Sequence, residues 1–423
     1  MGPKPILVLK KFDDISIFLN QNSERNLTKI SKHWAGEAIL NNKHVEWKKS
    51  RKLINPAFSS QMIEKYFDVF NKRSFALVDK LKLYADTGKE VDIHKYLLNS
   101  NIEGLIENLT GAPIRTSEKE VDDFGVALKD VLHGVARGIT SPWLYSDTIY
   151  SVYLKLTGNM KLIKELNYLP AKIVRENLKD ANEKYRSETA DSSKCLIDLM
   201  VKAQQKDSTF TETRLEHEFL QLMSAGTDAS ALNASFTLLM LAIHQDVQQK
   251  VYEEITQLVG EHDAFTSDHL SNHLKYLEQC IRETLRMYDP VAVTIRESQK
   301  EHVLKDNTII PAGMYILIMI HLANNDSAMY ENPHKWNPEN FSEQAIAGRP
   351  KRSQLSFSVG PRSCPASNYA ILSIKLQIAQ IIRHYHVSTC IKELKPDDLK
   401  MEIGIRSKLG YPIRLTLRKK TRT

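Results

Sequence analysis

One short segment, FSVGPRSCPAS, joins a single cysteine to an unusual set of neighbours. Gly360 allows the backbone to turn tightly, and Arg362 places a fixed positive charge two residues before Cys364. Phe357 adds a flat apolar side chain. The helical pattern that follows predicts a cysteine near a helix N-terminus, where backbone N–H groups and the helix dipole stabilise a thiolate. These features suit a sulfur that is deprotonated, shielded from water and close to a flat anionic ligand.

Three interpretations of Cys364 are open from this segment alone. A free cysteine is most often a buried structural residue. A catalytic nucleophile needs a histidine-centred partner motif, and none stands out in the sequence. An axial thiolate ligand of haem iron, with Arg362 bound to a haem propionate, makes use of the whole segment.

The composition describes a large globular protein. The chain has 423 residues, 42% of them hydrophobic, so an ordered fold with a large core is expected. The net charge of +7 is mild and the basic residues are spread along the sequence, which argues against nucleic acid as a partner. The four cysteines form no CxxC pair, so a disulfide scaffold is not expected. A reducing compartment is therefore the expected location.

Hydrophobic periodicity predicts a mostly helical fold in one large domain. Apolar residues recur every three to four positions over 215–243, which predicts one helix far longer than average. Shorter helices are predicted over 274–288 and 369–382, and strands in ILVL, VAVTIRES, NTIIPAG, MYILIMI and YPIRLTL. The polar, proline-rich segment 325–350 is predicted to be a long irregular loop.

Three distant motifs bear on the role of the cysteine. In ETLR, Glu283 and Arg286 are three residues apart on a predicted helix, so the two side chains can pair. In WKKSR, Trp47 and Arg51 are four apart, so both can reach one anionic group. In AGTDAS, small residues and Asp228 stand in mid-helix, where a glycine normally costs stability. Each motif is weak alone, but their order and separations together are specific.

With these motifs the chain resembles the cytochrome P-450 superfamily of haem-thiolate monooxygenases. It is most similar to insect members related to fatty-acid omega-hydroxylases, and the resemblance runs from GPKP to RSKLGYPIRLTLR. FSVGPRSCPA resembles the haem loop, LKYLEQCIRETLRMY the E-x-x-R helix, WNPENF the P-E-R-F loop and EFLQLMSAGTDAS the oxygen-binding helix. The resemblance implies a mostly α fold in which a long central helix covers the haem, with small β-sheets.

The resemblance assigns the cysteine segment to the haem cofactor. Cys364 would be the axial ligand of the iron, and its thiolate would favour O–O cleavage. Phe357 would pack beside the sulfur, and Gly360 would shape the loop. Four side chains would contact the haem propionates: Arg362, Trp47, Arg51 and Arg296.

The long helix would supply the oxygen site and its protons. Ala225 and Gly226 would leave room for O2, and Asp228 would act in a water-mediated proton relay. Ala229 departs from the family, which usually has a threonine whose hydroxyl helps to deliver protons. Ser230 is a doubtful substitute, because one step along a helix turns a side chain by about 100°. We therefore expect looser coupling of O2 reduction to product, or a proton supplied through water or a substrate hydroxyl.

Two further departures carry expectations. Asn340 stands where the family has an arginine that joins Glu283 and Arg286, so this pair is expected to lose its third member. Ala225 stands where some relatives have a glutamate that links covalently to haem, so the haem is expected to be bound non-covalently.

The resemblance also implies partners and a location. Residues 1–423 would form a single oxygenase domain lacking the usual N-terminal membrane anchor, hinge and first strand and helix. An NADPH-dependent flavoprotein reductase would supply electrons, and the substrates would be O2 and an apolar small molecule. Membrane association at the cytosolic face of the endoplasmic reticulum is expected for the full-length family member. Two alternatives remain open: an enzyme that uses peroxide or rearranges a hydroperoxide, and a non-catalytic haem-binding paralogue.

Overall fold

A computed structural model describes residues 6–21, 33–187, 195–260, 263–351 and 353–418. The α-helices are α1 Phe12–Gln21, α2 His44–Ile54, α3 Ser60–Lys65, α4 Phe67–Leu81, α5 Ile93–Thr110, α6 Glu118–Thr140, α7 Asp147–Leu156, α8 Asn159–Ser187, α9 Leu196–Lys206, α10 Glu212–Ile243, α11 Gln245–Leu258, α12 Lys275–Met287, α13 Ile320–Asn324, α14 Glu343–Ala347 and α15 Ser367–His384. The strands are β1 Ile6–Leu9, β2 Val91–Asp92, β3 Val293–Glu297, β4 His302–Val303, β5 Ile309–Ile310, β6 Tyr315–Met319, β7 Tyr385–Ser388, β8 Leu399–Met401, β9 Ile405–Ser407 and β10 Pro412–Leu417. The predicted mostly helical fold with small sheets is confirmed.

The helix α10 is the centre of the fold. It runs for 32 residues and packs against α5, α8, α12 and α15. A helix surrounded in this way needs apolar residues on nearly all sides, and the sequence supplies them. Thr211 caps its N-terminus by accepting a hydrogen bond from the backbone N–H of Arg214. Nine of its buried residues are polar and need specific partners, and three of these, Gln221, Ser224 and Asp228, line the cavity described below.

The strands form small sheets around the helical core. The strands β1, β6 and β3 make one three-stranded sheet, with β1 parallel and β3 antiparallel to β6. Ile316 and Ile318 of β6 are fully buried and pack in one cluster with Phe18 and Leu19 of α1. This cluster also contains Val359, so it fixes α1 against the segment that leads to the cysteine.

The polar segment 325–350 was predicted incorrectly as wholly irregular. It contains a 3-10 helix, Pro338–Phe341, and the short helix α14. Asn337 accepts a hydrogen bond from the backbone N–H of Glu339, and Ser342 accepts one from that of Ala345. Caps of this kind start short helices without any hydrophobic period.

Within the described ranges, no helix has the length and apolar character needed to cross a membrane.

Candidate active site

The segment FSVGPRSCPAS, residues 357–367 and here called the cysteine loop, is held in one conformation by its own backbone. The N–H of Cys364 donates to the carbonyl oxygen of Phe357 at 2.9 Å, and the N–H of Ser363 donates to that of Gly360 at 3.1 Å. Gly360 has a φ of +77°, and a Cβ atom there would overlap the Leu19 carbonyl group at the end of α1. Only glycine fits this turn. The loop therefore delivers Cys364 three residues before α15 in a fixed position.

The surroundings of Cys364 suit a metal-bound thiolate. Burial raises the pKa of the thiol above its ordinary value, while the backbone N–H of Ala366 and the positive charge of Arg51 act in the opposite direction. A coordinated metal ion adds a much larger positive charge and deprotonates such a thiol. The donor set therefore fits haem iron, because it offers one soft sulfur, a hydrogen-bond donor and a nearby cation.

The helix α2 brings the predicted tryptophan and arginine to the cysteine loop. The guanidinium carbon of Arg362 lies 4.4 Å from the centre of the Trp47 ring, in a cation–π contact. Arg51, one turn further along α2, donates from Nη1 to the carbonyl oxygen of Ser363 at 2.7 Å. Trp47, Arg51 and Arg362 are thus one cluster around the cysteine loop, a suitable arrangement for carboxylate groups of a ligand.

The fourth predicted propionate contact, Arg296, lies on β3 and is 2% exposed. Its Nη1 donates to Thr294 Oγ1 at 2.8 Å and to the carbonyl oxygen of Ile295 at 3.0 Å. Thr294 and Ile295 line the cavity described below. Arg296 is therefore a buried cation immediately behind the wall of the cavity.

Residues 35–42, here called the strap, join α10 to the cysteine loop. On one side, the backbone N–H of Ile39 donates to Glu218 Oε2 at 2.9 Å, and that of Leu40 donates to Gln221 Oε1 at 2.6 Å. On the other side, Arg362 donates to the carbonyl oxygens of Ile39 and Asn42 at 3.3 and 2.8 Å. The strap therefore couples the position of Arg362 to the long helix.

Sequence analysis missed the roles of Glu218 and Gln221. Both are buried side chains of α10, spaced three apart in the apolar stretch EFLQLM. Gln221 also donates from Nε2 to the carbonyl oxygen of Ala35 at 2.7 Å, and Ser50 Oγ donates to Glu218 Oε1. Polar residues at i and i+3 inside an apolar helix face are the signal that could have revealed a partner segment.

Glu218 makes stability depend on pH in a defined direction. Burial raises its pKa from an ordinary value of 4.5 to about 7, against hydrogen bonds from Ser50 and Ile39 that lower it. Between these two values the folded chain holds a proton that the unfolded chain has lost, so stability falls as the pH rises from about 4.5 to about 7. Above pH 7 the buried anion costs the fold about 3 kcal/mol in total.

Replacing this residue by a neutral amide, Glu218→Gln, will remove that pH dependence. The variant is expected to match the wild type near pH 4 and to be more stable by about 3 kcal/mol at pH 8. Urea midpoints at the two pH values measure the difference. Glu212→Gln serves as the control. Glu212 lies in the first turn of the same helix and its side chain is 55% exposed, so the variant should show no such change. A constant difference between Glu218→Gln and wild type at both pH values would contradict the assignment.

A cavity of about 160 Å³ lies beside the middle of α10. Ala225, Asp228 and Ala229 form its helical wall, and Ala225 is exposed although the helix around it is buried. Other parts of the chain contribute mainly apolar side chains: Trp34, Leu40, Leu132, Val135, Ile139, Val291, Val293, Ile295 and Ile403. A mainly apolar cavity beside small helix residues is suited to a small apolar ligand.

Two residues predicted for the oxygen site lie away from this cavity. Gly226 faces α5, where a Cβ atom would come within 3.0 Å of Leu105 Cδ2, so this glycine serves close helix packing. Ser230 is buried at 6% exposure and is not among the cavity-lining residues. The rotation of about 100° per residue turns the Gly226 Cα and the Ser230 side chain away from the wall that carries Ala225 and Ala229. The structure therefore gives neither residue the contact that its predicted role needs.

Asp228 lines the cavity as half of an ion pair. Arg406 of β9 donates from Nη2 to Asp228 Oδ2 at 2.7 Å, and its Nε lies 3.1 Å from Glu402 Oε2. Sequence analysis described Asp228 as a carboxylate for a relay and did not find Arg406. The pair joins residues 178 positions apart, so no local spacing could have revealed it.

Comparison with known proteins identifies the family. A sequence model described as "Cytochrome P450" matches residues 1–413. This chain belongs to the cytochrome P-450 family. It is 26% identical to "Cytochrome P450 4g15" of Drosophila melanogaster over 98% of the chain and 84% of that relative. It is also 26% identical to "Cytochrome P450 4c21" of Blattella germanica over 91% of the chain and 77% of that relative.

Family membership settles the general class of this cytochrome P-450. The relatives are insect members of the predicted subfamily, so the predicted resemblance is confirmed. The protein is a monooxygenase of this family, and the family implies haem as its cofactor and a redox partner that supplies electrons. The mostly helical structure with small sheets is consistent with the cytochrome P-450 fold.

The E-x-x-R pair of this cytochrome P-450 is fully buried. Arg286 donates from Nε to Glu283 Oε2 at 2.7 Å and from Nη2 to Oε1 at 2.8 Å, and both side chains are 0% exposed. Because Asn340 replaces an arginine of the family, the pair of Glu283 and Arg286 was expected to lose the third residue that joins it. The structure shows instead that Asn340 Nδ2 donates to Glu283 Oε1 at 3.0 Å. The amide keeps the hydrogen bond without the charge, and Arg349 in turn donates to the carbonyl oxygen of Asn340.

Proposed function

We propose that this cytochrome P-450 oxidises an apolar small molecule at a haem held by Cys364, using O2 and NADPH-derived electrons from a flavoprotein reductase. The observation that carries the proposal is the pairing of two features. A half-buried thiol near Arg51 and the Ala366 N–H is suited to hold iron, and the apolar cavity beside Ala225 and Ala229 is suited to hold the molecule that reacts.

Residues of the cysteine loop, α2 and β3 would bind and orient the cofactor. Cys364 would hold the iron, and Arg362, Arg51 and Trp47 would bind the propionates, with Arg296 as a further contact. The stacking of Arg362 on Trp47 and its bonds to the strap support this role, because they fix the guanidinium before a ligand arrives. When bound, haem supplies the activation of O2, which no side chain provides. Non-covalent binding is supported by Ala225, whose methyl group offers no carboxylate for an ester bond.

The wall of α10 would exclude water and hold a proton. Ala225 and Ala229 keep the reacting end of the cavity apolar and small. We propose that the Asp228 carboxylate, fixed by Arg406 through Oδ2, holds a water molecule that passes a proton to the reacting atoms. Ala229 has no hydroxyl to share in this step, so water or a substrate hydroxyl takes that role. Gly226 and Ser230 have no part in this proposal because neither residue lines the cavity.

A second candidate function is favoured by one observation. Ala229 lines the cavity with a methyl group, and Asp228 is tied in an ion pair, so proton supply to O2 is less direct than a threonine would make it. A peroxide or hydroperoxide substrate already carries the reduced O–O bond and needs less proton delivery. A non-catalytic paralogue is disfavoured by the intact buried network of Glu283, Arg286 and Asn340. The endoplasmic reticulum membrane remains the proposed location, from family resemblance.

A carbon-monoxide difference spectrum of the reduced protein tests the proposal. The expected result is the long-wavelength band that is diagnostic of thiolate-bound haem. Turnover is then compared with NADPH plus reductase and with an organic hydroperoxide. Product from NADPH supports the monooxygenase, whereas product from hydroperoxide alone selects the second candidate. A haem-loaded protein without the thiolate band would refute both.

A further inference from the structure

The cavity wall carries an uneven set of charges. Among the described residues that line it, Arg406 is the only cation, whereas Asp228 and Glu402 are two acids. The other polar side chains on the wall, Gln221, Ser224 and Thr294, are neutral. The charged groups come from two parts of the fold, since Asp228 belongs to α10 and the other two to the hairpin of β8 and β9.

Arg406 is already paired with both of these acids. Arg406 directs Nη2 to Asp228 at 2.7 Å and Nε to Glu402 at 3.1 Å. The three side chains are 11, 12 and 10% exposed for Asp228, Arg406 and Glu402 respectively, so solvent screens them poorly. A guanidinium that holds two carboxylates in this way has little capacity to bind a third.

Among the described residues, the buried cation Arg296 lies behind the wall with its Nη1 bound to Thr294 and Ile295. Two further groups contact Glu402 from the outer side. Lys400 and His133 contact Glu402 Oε1 at 2.8 and 3.1 Å, and their side chains are 42 and 63% exposed. Burial raises the pKa of Glu402, but the hydrogen bonds from Lys400 and His133 outweigh it and leave the pKa below its ordinary value. Solvent screens the charge of Lys400, whereas Asp228 and Glu402 face the cavity directly.

We propose that the cavity selects uncharged molecules and rejects a free carboxylate at this wall, with Glu402 as the residue that sets the preference. This inference rests on the proposed function, because it assumes that the substrate occupies this cavity. A carboxylate entering here meets two acids and a cation that is already bound, and it gives up its own hydration. An alcohol of the same chain length gives up much less hydration free energy on entering the cavity. Its hydroxyl can form hydrogen bonds with the neutral polar side chains on the wall. Discrimination through a repulsive group is a common source of specificity.

The test titrates the haem-loaded protein at pH 7.5 with two ligands of equal chain length, 1-dodecanol and laurate. The shift of the haem absorption band reports binding. The expected result is that dodecanol binds at least tenfold more tightly than laurate. Glu402→Gln removes one acid, so it should tighten laurate about tenfold and leave dodecanol within about twofold. Glu64→Gln, at an exposed glutamate of α3 outside the cavity, makes the same change in net charge and should alter neither ligand.

The outcomes separate this inference from the proposed function. A missing thiolate band would contradict the proposed function, and the inference with it. A normal band with laurate bound as tightly as dodecanol would overturn only the inference. A laurate affinity that Glu402→Gln and Glu64→Gln change equally would also overturn it, because the preference would then follow the net charge of the protein. A band that responds to neither ligand counts against it as well. If Glu402→Gln loses the band through misfolding, Glu402→Ala, which removes the same charge, carries the same expectation for the two ligands.

Discussion

Replacing Cys364 with serine will abolish the thiolate-type carbon-monoxide spectrum. A serine hydroxyl is a much weaker acid than a thiol and a harder ligand, so it does not give iron the same electron donation. The positive field of Arg51 and the Ala366 N–H, which act on Cys364 in the native chain, remain in place but cannot ionise a serine to the same degree. The expected change is complete loss of the long-wavelength band and of turnover, with haem retained weakly or lost.

A matched variant makes this result specific. Cys390 is the exposed cysteine of the chain and lies after β7, outside the cysteine loop. Cys390→Ser should keep the full band and full activity. The proposal for the iron ligand fails if Cys364→Ser retains the band, or if both serine variants lose it equally.

Local sequence was sufficient for the elements whose pattern is continuous. Apolar residues recur every three to four positions over 215–243, so the 32-residue helix α10 was visible in the sequence along nearly its whole length. The cysteine loop could also be interpreted from the sequence, because Gly360, Arg362 and Cys364 are close together in the chain. The type of each residue indicates its role without knowledge of the fold. The buried pair of Glu283 and Arg286 followed from spacing within one helix turn.

Long-range contacts were beyond the reach of the sequence. The strap is positioned by the hydrogen bond between Ile39 and Glu218, which are 179 positions apart. Asp228 pairs with Arg406 only when the hairpin of β8 and β9 packs against α10. Asn340 shows a related limit. Its type suggested a lost ion pair, but folding places its amide where a neutral hydrogen bond to Glu283 is enough. Substitution by a smaller polar group can keep the geometry of a network while it changes its charge.

That network carries the second large prediction, for Arg286→Met. Arg286 holds both oxygens of Glu283, and its Nη1 also donates to Asn325 Oδ1 at 2.9 Å and to the carbonyl oxygen of Pro333 at 2.7 Å. Methionine fills similar space but leaves a fully buried carboxylate without its cation. Breaking a buried pair in this way costs about 3 to 5 kcal/mol, so the urea midpoint of the haem-loaded protein should fall sharply.

The same helix offers a direct control. Arg282 pairs with Glu278 at 2.6 Å, but the two side chains are 37 and 26% exposed. Partly exposed pairs contribute at most about 1 kcal/mol, so Arg282→Met should shift the midpoint only slightly. The double variant Glu283→Leu with Arg286→Met removes both charges and should recover part of the loss, because no isolated buried ion is left. Equal shifts of the urea midpoint for Arg286→Met and Arg282→Met would show that burial does not strengthen the contribution of the Arg286–Glu283 pair to stability. The structural role given to Arg286 would then be wrong.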